Sequence, residues 1–433
     1  MTIHVIGAGV TGLSFAKASR DEVNILESCE RIGGKALSYK VETSVGTFGF
    51  DVGGHWFHYQ RSPAVLDILK GLDLKAHTRK AFVYLHEQFF KFPIQQSYIW
   101  HPDEKFVGTV KKELQMVNYD HEYTNYEEML QQSYGLTLYD SFFKDYNSKM
   151  YGIQDLSVIG VGRFETIRNV RTNRNVTGYN GDFVYPKGDI GASGIPLFLA
   201  DHLRINYNKK VKSINITNKT MNINNETESW DTIVSTMPLN SLIGMINDVD
   251  DHILALSKQL KFSKGMILNL GVKRTQLQED MSWVYFPDPH LHFYRVGFYS
   301  NVESSLAPLG YCSMYVECSP LFFSNKEEAL AIVPTIIKEL IEIGFIGHAD
   351  EIVTTKAIYL DHNYCLPDTS KTKVIHHYLE SAGIYSIGRY GSWHWSSQHE
   401  DMQQAWDLAN KLTLRNLTKT KKMTQQSLVT QTF

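Results

Sequence analysis

Gly7-Ala8-Gly9-Val10-Thr11-Gly12 follows the apolar stretch Ile3–Ile6 and precedes the helical pattern of residues 13–18. A second apolar stretch, Val23–Leu26, ends at Glu27, 20 residues after Gly7. Two short apolar stretches joined by a glycine-rich turn and a helix are typical of a strand–helix–strand unit. The sequence therefore predicts a dinucleotide-binding fold in this part of the chain.

Each residue type in this motif has a physical role. Gly7 permits a tight turn, Gly9 lets the backbone approach a pyrophosphate, and Gly12 lets the helix pack closely on the strand. The helix N-terminus presents free N–H groups and a positive dipole end to phosphates. Glu27 is expected to accept hydrogen bonds from an adenosine ribose. The alternative, a glycine turn without a ligand, is disfavoured by the order of strand, turn, helix, strand and acid.

Composition narrows the class of protein. The chain has 433 residues, enough for two or three packed units, and its 43% of hydrophobic residues excludes a disordered chain. Lys and Arg number 43 against 46 Asp and Glu, and the net charge of -3 argues against a nucleic-acid partner. No apolar run approaches the ~18–20 residues that span a bilayer, and the first residues do not resemble a secretory signal. We expect a cytoplasmic protein without a membrane span.

The spacing of the cysteines and histidines indicates whether a metal site is expected. The four cysteines form no CxxC pair, and the 17 histidines show no metal-binding spacing. This pattern disfavours a zinc site and a disulfide framework, so no metal is expected.

Two further glycine pairs follow Glu27. One precedes Lys35 and the other precedes His55, and such pairs leave room for backbone against a long, extended cofactor. This run resembles the FAD-binding fold of the amine oxidase, protoporphyrinogen oxidase and UDP-galactopyranose mutase group, as do residues 230–238 and 384–389. The resemblance implies FAD, with contacts from Gly7, Gly9, Thr11, Gly12, Glu27, Ser28, Gly33, Gly34, Lys35, Gly53, Gly54, His55, Val211, Arg389, Asp401 and Met402.

The predicted fold is α/β, with a Rossmann-like FAD-binding domain, a helical subdomain and an antiparallel β-sheet subdomain. The FAD-binding domain is discontinuous, and we assign it residues 1–80, 185–240 and 355–412. Helical spacing with many tyrosines predicts a helical substrate subdomain in residues 100–184. Alternation of apolar and polar residues predicts the sheet subdomain, with residues 81–99 and 241–354. Residues 413–433 contain no acid and predict a flexible basic tail.

Over most of residues 3–410 the chain resembles UDP-galactopyranose mutases of the eukaryotic type. The resemblance is carried by Phe92–Gln95, Tyr146–Tyr151, Tyr185–Gly191, Trp283–Pro287, Phe293–Arg295, Asp361–Tyr364 and Gly388–Trp393. It implies a flavin-dependent isomerase in which reduced FAD attacks the anomeric carbon of a nucleotide sugar through N5, displaces the nucleotide and lets the sugar reclose as a furanose. NAD(P)H is then the expected reductant.

A departing diphosphate requires cationic and hydroxyl donors fixed in a dry cleft. By resemblance, the catalytic candidates are His55 beside the flavin and a clamp formed by Arg163 and Arg295, with Arg168 and Arg171 competing for the role of Arg163. The substrate-binding candidates that the resemblance implies are Gln95, Phe142, Asn147, Tyr151, Tyr285, Tyr364 and Trp395. For each aromatic residue, the alternative is a place in the core.

Three positions depart from the family pattern. Phe92 and Val302 stand where the family carries tyrosines, and His394-Trp395 replaces an Arg-Tyr pair. Each lost hydrogen bond to a charged group is worth ~1.5–3 kcal/mol if nothing replaces it. The identity of the nucleotide sugar therefore stays open.

Two other functions stay open as well. An FAD-dependent amine oxidase or dehydrogenase would take a hydride from its substrate, and a non-catalytic flavin-binding protein would need no phosphate clamp. Paired arginines discriminate between these functions, because they would repel an amine, which favours an aromatic cage. The sequence gives no indication of the oligomeric state.

Overall fold

A computed structural model describes residues 2–60, 62–118, 122–160 and 181–430, and of residues 415–430 it describes the backbone alone. Within this part of the chain the strands form five sheets. The strands are β1 (Ile3–Ile6), β2 (Val23–Leu26), β3 (Ser38–Thr43), β4 (Gly46–Asp51), β5 (Leu74–His77), β6 (Ala81–Leu85), β7 (Gln88–Lys91), β8 (Phe183–Pro186), β9 (Ile205–Asn206), β10 (Val211–Asn215), β11 (Thr220–Ile223), β12 (Glu226–Ser229), β13 (Thr232–Ser235), β14 (Gly265–Lys273), β15 (Trp283–Tyr285), β16 (Phe293–Phe298), β17 (Tyr311–Cys318), β18 (Ile352–Leu360) and β19 (Ile384–Ser386).

The α-helices connect these strands and cover the sheets. They are α1 (Val10–Ala18), α2 (Val65–Ile68), α3 (Ile94–Ser97), α4 (Glu104–Gln115), α5 (Tyr126–Tyr134), α6 (Leu136–Leu138), α7 (Lys144–Tyr151), α8 (Gly194–Ala200), α9 (Leu239–Gly244), α10 (Asp251–Lys258), α11 (Tyr299–Val302), α12 (Lys326–Ala331), α13 (Val333–Ile343), α14 (Thr369–Ser381), α15 (Gly388–Gly391) and α16 (Gln398–Thr430). No helix in the described ranges is both long and apolar enough to cross a membrane.

A parallel sheet forms the first layer, with the order β19-β13-β1-β2-β9. All of its described pairings are parallel, and its strands come from three distant parts of the chain. Helices α1 and α16 pack against each other over this sheet and share its apolar core. This arrangement confirms the predicted α/β class and the strand–helix–strand unit at residues 3–26.

A seven-stranded sheet forms the second layer, with the order β18-β14-β17-β16-β15-β6-β7. Its pairings are antiparallel except that of β15 with β6. Strand β18 pairs with β14 along its length, so this sheet continues to Leu360, beyond the predicted end of the sheet subdomain at residue 354. The cause is the long β14 strand, which offers a hydrogen-bonding edge to all of β18.

Helices α4 to α7 form the helical part, whose core is built mainly from tyrosine, phenylalanine, leucine and methionine side chains. It packs beside β16 through α7. Residues 161–180 of the predicted helical subdomain lie outside the described residues.

The C-terminal segment corrects one prediction. Helix α16 runs from Gln398 to Thr430, so most of the predicted flexible tail, residues 413–433, is helical. The physical reason is local, because residues 398–430 contain neither glycine nor proline and nothing in the sequence ends the helix.

Strand β4 is joined to the seven-stranded sheet at Asp51, a fully buried carboxylate at the end of the strand. It accepts hydrogen bonds from Ser38 Oγ, Tyr185 Oη and the main-chain N–H of Ala192. Its main-chain carbonyl accepts from Asn269 Nδ2 of β14, which belongs to the seven-stranded sheet. Burial raises the pKa of Asp51 to about 6, although these hydrogen bonds act in the opposite direction.

We predict that Asp51→Asn destabilises the protein more at pH 4 than at pH 7. The folded protein binds a proton at Asp51 more tightly than the unfolded chain does, so the stabilisation from this group is present below about pH 4 and falls as the pH rises through about 6. Urea unfolding of both proteins between pH 4 and pH 7 measures the difference. The exposed Asp189, in a surface pair with Lys40, supplies the control variant Asp189→Asn. A difference independent of pH for Asp51→Asn would contradict the prediction.

Candidate functional site

The glycine-rich turn lies between β1 and α1 and is held against the second glycine pair. Gly7 has a φ of +102°, a conformation that favours glycine. The N–H of Gly33 donates to the carbonyl of Ala8 at 2.9 Å, which brings the two glycine segments side by side. Glu27 accepts the N–H of Ala8 through Oε2 and that of Cys29 through Oε1, each at 2.9 Å. The carboxylate is thus fixed beside the turn.

A cavity of about 390 Å³ opens on this turn. Most of the predicted cofactor residues line it, namely Gly7, Gly9, Thr11, Glu27, Ser28, Gly33, Gly34, Lys35, His55, Val211, Arg389 and Asp401. The donor set fits the ADP part of a dinucleotide, because free N–H groups at a glycine-rich helix start suit a pyrophosphate and an oriented carboxylate suits a ribose. We call this the dinucleotide cavity.

A second cavity of about 350 Å³ adjoins the first and lies between the parallel sheet, the seven-stranded sheet and the helical part. The two cavities share five lining residues, which are Lys35, His55, Arg389, Tyr390 and Gln398. Predicted residues that line the second cavity are Gly53, Gly54, His55, Phe142, Asn147, Tyr285, Arg295, Tyr364 and Trp395. We call it the substrate cavity. An extended cofactor in the dinucleotide cavity would reach it at the shared residues.

Basic side chains, Lys35, His55 and Arg389, gather at the shared boundary of the two cavities. Burial, reinforced by Arg389 and Lys35, lowers the pKa of His55 to about 3, so its imidazole is neutral at physiological pH. Its Nε2 is buried and has no hydrogen-bond partner among the described residues. Burial, reinforced by Arg389, lowers the pKa of Lys35 to about 7, and its Nζ donates to the carbonyl of His362 and lies 4.4 Å from the ring centre of Tyr390.

Arg295 lines the substrate cavity, but it is paired with a carboxylate. Its Nη2 donates to both oxygens of Glu317, at 2.5 and 2.6 Å, and lies 3.3 Å from Tyr364 Oη. Strands β16 and β17 place Arg295 opposite Glu317 in their register. Burial acts to lower the pKa of Arg295, but Glu317 raises it well above its usual range. Arg295 is therefore a fixed and partly neutralised cation. The second predicted arginine, Arg163, lies outside the described residues.

Aromatic rings build the wall of the substrate cavity opposite the parallel sheet. Phe142 stacks on Tyr146 with ring centres 5.3 Å apart, and Trp395 stacks on Tyr151 with ring centres 5.0 Å apart. Trp395 Nε1 donates to the carbonyl of Cys365, so its N–H does not serve the cavity. The amide of Asn147 is also engaged within the protein, since Oδ1 accepts from Tyr126 Oη and Nδ2 donates to a main-chain carbonyl.

Four predicted residues do not line either cavity. Gly12 lies under the turn, Met402 is in the core of the parallel-sheet layer, and Tyr151 is behind Trp395. Gln95 follows the Phe92–Pro93 bond, and its Oε1 is buried without a partner among the described residues. Two of the positions that depart from the family pattern lie in different surroundings. Phe92 lines the substrate cavity, whereas Val302 is buried in the core.

Sequence reasoning missed three residues of the substrate cavity. Arg79 lies with its guanidinium 4.9 Å from the ring centre of Phe92, His58 is buried beside Phe183, and Glu317 pairs with Arg295. Glu317 lies on β17, where only the strand register reveals which side chains face the cavity, and Arg79 lies in the connection between β5 and β6, where no local pattern marks it. Across the described ranges, no cluster of three or more His, Cys, Asp and Glu side chains could hold a metal ion.

Comparison with known proteins agrees with this fold. A family model described as flavin containing amine oxidoreductase matches residues 10–254. A crystal structure of reduced UDP-galactopyranose mutase is 22% identical, with a TM-score of 0.82, and the match covers 95% of this chain and 93% of that one. A putative protoporphyrinogen oxidase from Exiguobacterium sp. 255-15 is 14% identical, with a TM-score of 0.74 and coverage of 96% and 99%. Putrescine oxidase bound to putrescine is 12% identical, with a TM-score of 0.64 and coverage of 96% and 99%. At these identities the solved structures show a shared fold.

We predict that Gly12→Ala abolishes FAD retention and destabilises the protein by about 1–3 kcal/mol. A Cβ at Gly12 would lie 2.0 Å from the carbonyl oxygen of Gly7, so the turn would have to move away from the helix. Gly108→Ala in α4 is the matched control, because its Cβ would meet no atom within 4 Å. Flavin absorbance of the purified protein and the thermal unfolding midpoint measure both effects. Normal flavin content in Gly12→Ala would refute the prediction.

Proposed function

The chain belongs to the family of flavin-containing amine oxidoreductases, and we propose that within this family it is a nucleotide-sugar mutase similar to UDP-galactopyranose mutase. It would interconvert the pyranose and furanose forms of a nucleotide hexose, with FAD in the reduced state and NAD(P)H as the reductant. The observation that carries the proposal is the charge of the substrate cavity.

Four basic side chains line the substrate cavity, and a single carboxylate among its described lining residues opposes them. The basic side chains are those of Arg79, Arg295, Arg389 and Lys35, whose pKa is lowered to about 7, and the carboxylate is that of Glu317. An ammonium substrate entering this cavity would meet net repulsion, whereas a diphosphate would be attracted. This favours an anionic substrate over the amine that the alternative, an amine oxidase, would take.

The paired Arg295 still suits a leaving diphosphate. Glu317 uses only Nη2 of the guanidinium. The pair holds the guanidinium plane in one orientation, so a bound phosphate would not have to order it. Tyr364, whose Oη lies beside Nη2, adds a hydroxyl at the same place.

The aromatic wall suits the other end of a nucleotide sugar. Phe142 lines the cavity and stacks face to face with Tyr146, and this pair offers a flat apolar surface to a pyrimidine base.

The chemistry divides between cofactor and protein. Reduced FAD, when bound, would supply the nucleophile for the anomeric carbon. The residues of this chain would hold the diphosphate through Arg295 and Tyr364, exclude water through the aromatic wall, and keep a neutral imidazole at His55 beside the cofactor.

One anaerobic experiment tests the proposal. Protein loaded with FAD is reduced with dithionite and incubated with UDP-galactopyranose and, separately, with other nucleotide hexoses, and the products are separated by chromatography. Furanose formed by the reduced protein alone supports the mutase. Bleaching of the oxidised flavin by putrescine without added reductant would instead identify an amine oxidase. If reduced protein forms no furanose from any nucleotide hexose, the proposed function is wrong.

We predict that Arg295→Lys lowers kcat/KM for the accepted nucleotide sugar about 10- to 150-fold, which corresponds to ~1.5–3 kcal/mol for hydrogen bonds to a charged group. Lysine keeps the charge beside Glu317 but loses the planar fork. Arg274→Lys is the control, since Arg274 bonds Asn301 and Ser300 away from both cavities. Equal kcat/KM in the two variants would show that Arg295 does not bind the substrate.

A further inference from the structure

Lys149 is a lysine without any exposed surface, on α7. Fully buried lysines are rare, and they are normally paired with a carboxylate. The described hydrogen-bond acceptors of its ammonium are instead two main-chain carbonyls, those of Phe286, at 3.0 Å, and Asp288. Both belong to the connection between β15 and β16.

This connection joins the two strands that carry Tyr285 and Arg295, which both line the substrate cavity. The carbonyl of Lys149 is engaged too, because Ser319 Oγ donates to it at 3.0 Å. Ser319 follows β17, the strand of Glu317. Lys149 is therefore hydrogen-bonded to segments that adjoin β15, β16 and β17. These three strands carry Tyr285, Arg295 and Glu317.

The neighbours of Lys149 on α7 face the substrate cavity. Tyr146, Asn147 and Met150 line it, and Tyr146 packs edge-on against Tyr285 with ring centres 5.3 Å apart. Their place relative to Arg295 depends on how α7 sits on the connection between β15 and β16. The contacts of Lys149 are the polar bonds that fix this placement.

We infer that Lys149 is a positioning residue of the substrate cavity, which holds the helix carrying Tyr146, Asn147 and Met150 in register with the strands carrying Tyr285, Arg295 and Glu317. It touches neither substrate nor cofactor and acts through these side chains. The inference rests on the proposed function only for the choice of ligand, because the contacts of Lys149 exist in the protein alone.

The electrostatic surroundings agree with this role. Burial lowers the pKa of Lys149 to about 7, although Asp288, Glu339 and Asp145 act to raise it. Glu339 is in turn paired with His292 at 2.6 Å. A neutral amine still has two N–H donors, which is the number that the two carbonyls require. The hydrogen bonds from Lys149 of α7 to the connection between β15 and β16 therefore persist on both sides of neutral pH.

The test compares Lys149→Met with Lys144→Met, which changes an exposed lysine of the same helix. In the FAD-loaded proteins we expect Lys149→Met to weaken the binding of UDP about tenfold, measured by calorimetry, and to speed amide hydrogen exchange in residues 144–151 and 286–295. Flavin content and the visible flavin spectrum should not change, and Lys144→Met should match the parent protein in every measurement. In turnover, KM for the nucleotide sugar should rise while kcat stays within about threefold.

The outcomes separate this inference from the proposed function. If the parent protein does not bind UDP, the proposed function is in error, and hydrogen exchange alone then judges Lys149. Unchanged exchange in both segments, or unchanged UDP affinity where the parent binds UDP, overturns the positioning role. If Lys149→Met does not fold, Lys149→Gln, which keeps an N–H donor on a shorter side chain, is measured in the same way and decides by the same criteria.

Discussion

The burial of Asp51 is the constraint on which the site depends. A carboxylate without exposed surface must have its hydrogen bonds satisfied, and Asp51 obtains them from Ser38, Tyr185 and Ala192, while its carbonyl binds the seven-stranded sheet. The next four residues, 52–55, pass along the seven-stranded sheet, next to Ile267, Glu317 and Tyr315. A Cβ at Gly54 would lie 2.4 Å from Tyr315 Oη, so the backbone passes with no room for a side chain. This passage delivers His55 to the boundary of both cavities.

The sequence predicts best where the determinants are local. The unit from β1 to β2 follows from apolar stretches, a glycine turn and an acid, all within 25 residues, and the structure confirms it. The prediction of a flexible C-terminal tail is wrong. The basic composition of this segment suggests disorder, but the absence of glycine and proline favours the helix that is found.

The sequence predicts most of the residues that line the candidate site, but it does not predict which of their side chains pair with one another. Arg295 and Glu317 are 22 positions apart and meet only because β16 and β17 pair in one particular register. A shift of one residue would turn one of the two side chains to the other face. The burial of Lys149 has no signature in the sequence either, because a lysine among polar residues on a short helix ordinarily faces solvent. Long-range packing decides both, and no local pattern encodes it.

The electrostatics of the shared boundary link the two cavities. Lys35 and Arg389 help to keep His55 neutral, and Arg389 in turn helps to lower the pKa of Lys35 to about 7. An anion bound at this boundary favours the charged form of Lys35 and must raise its pKa. Anion binding near neutral pH is then coupled to the uptake of a proton at Lys35. Because Lys35 lines both cavities, a charge placed in either one acts on the same lysine.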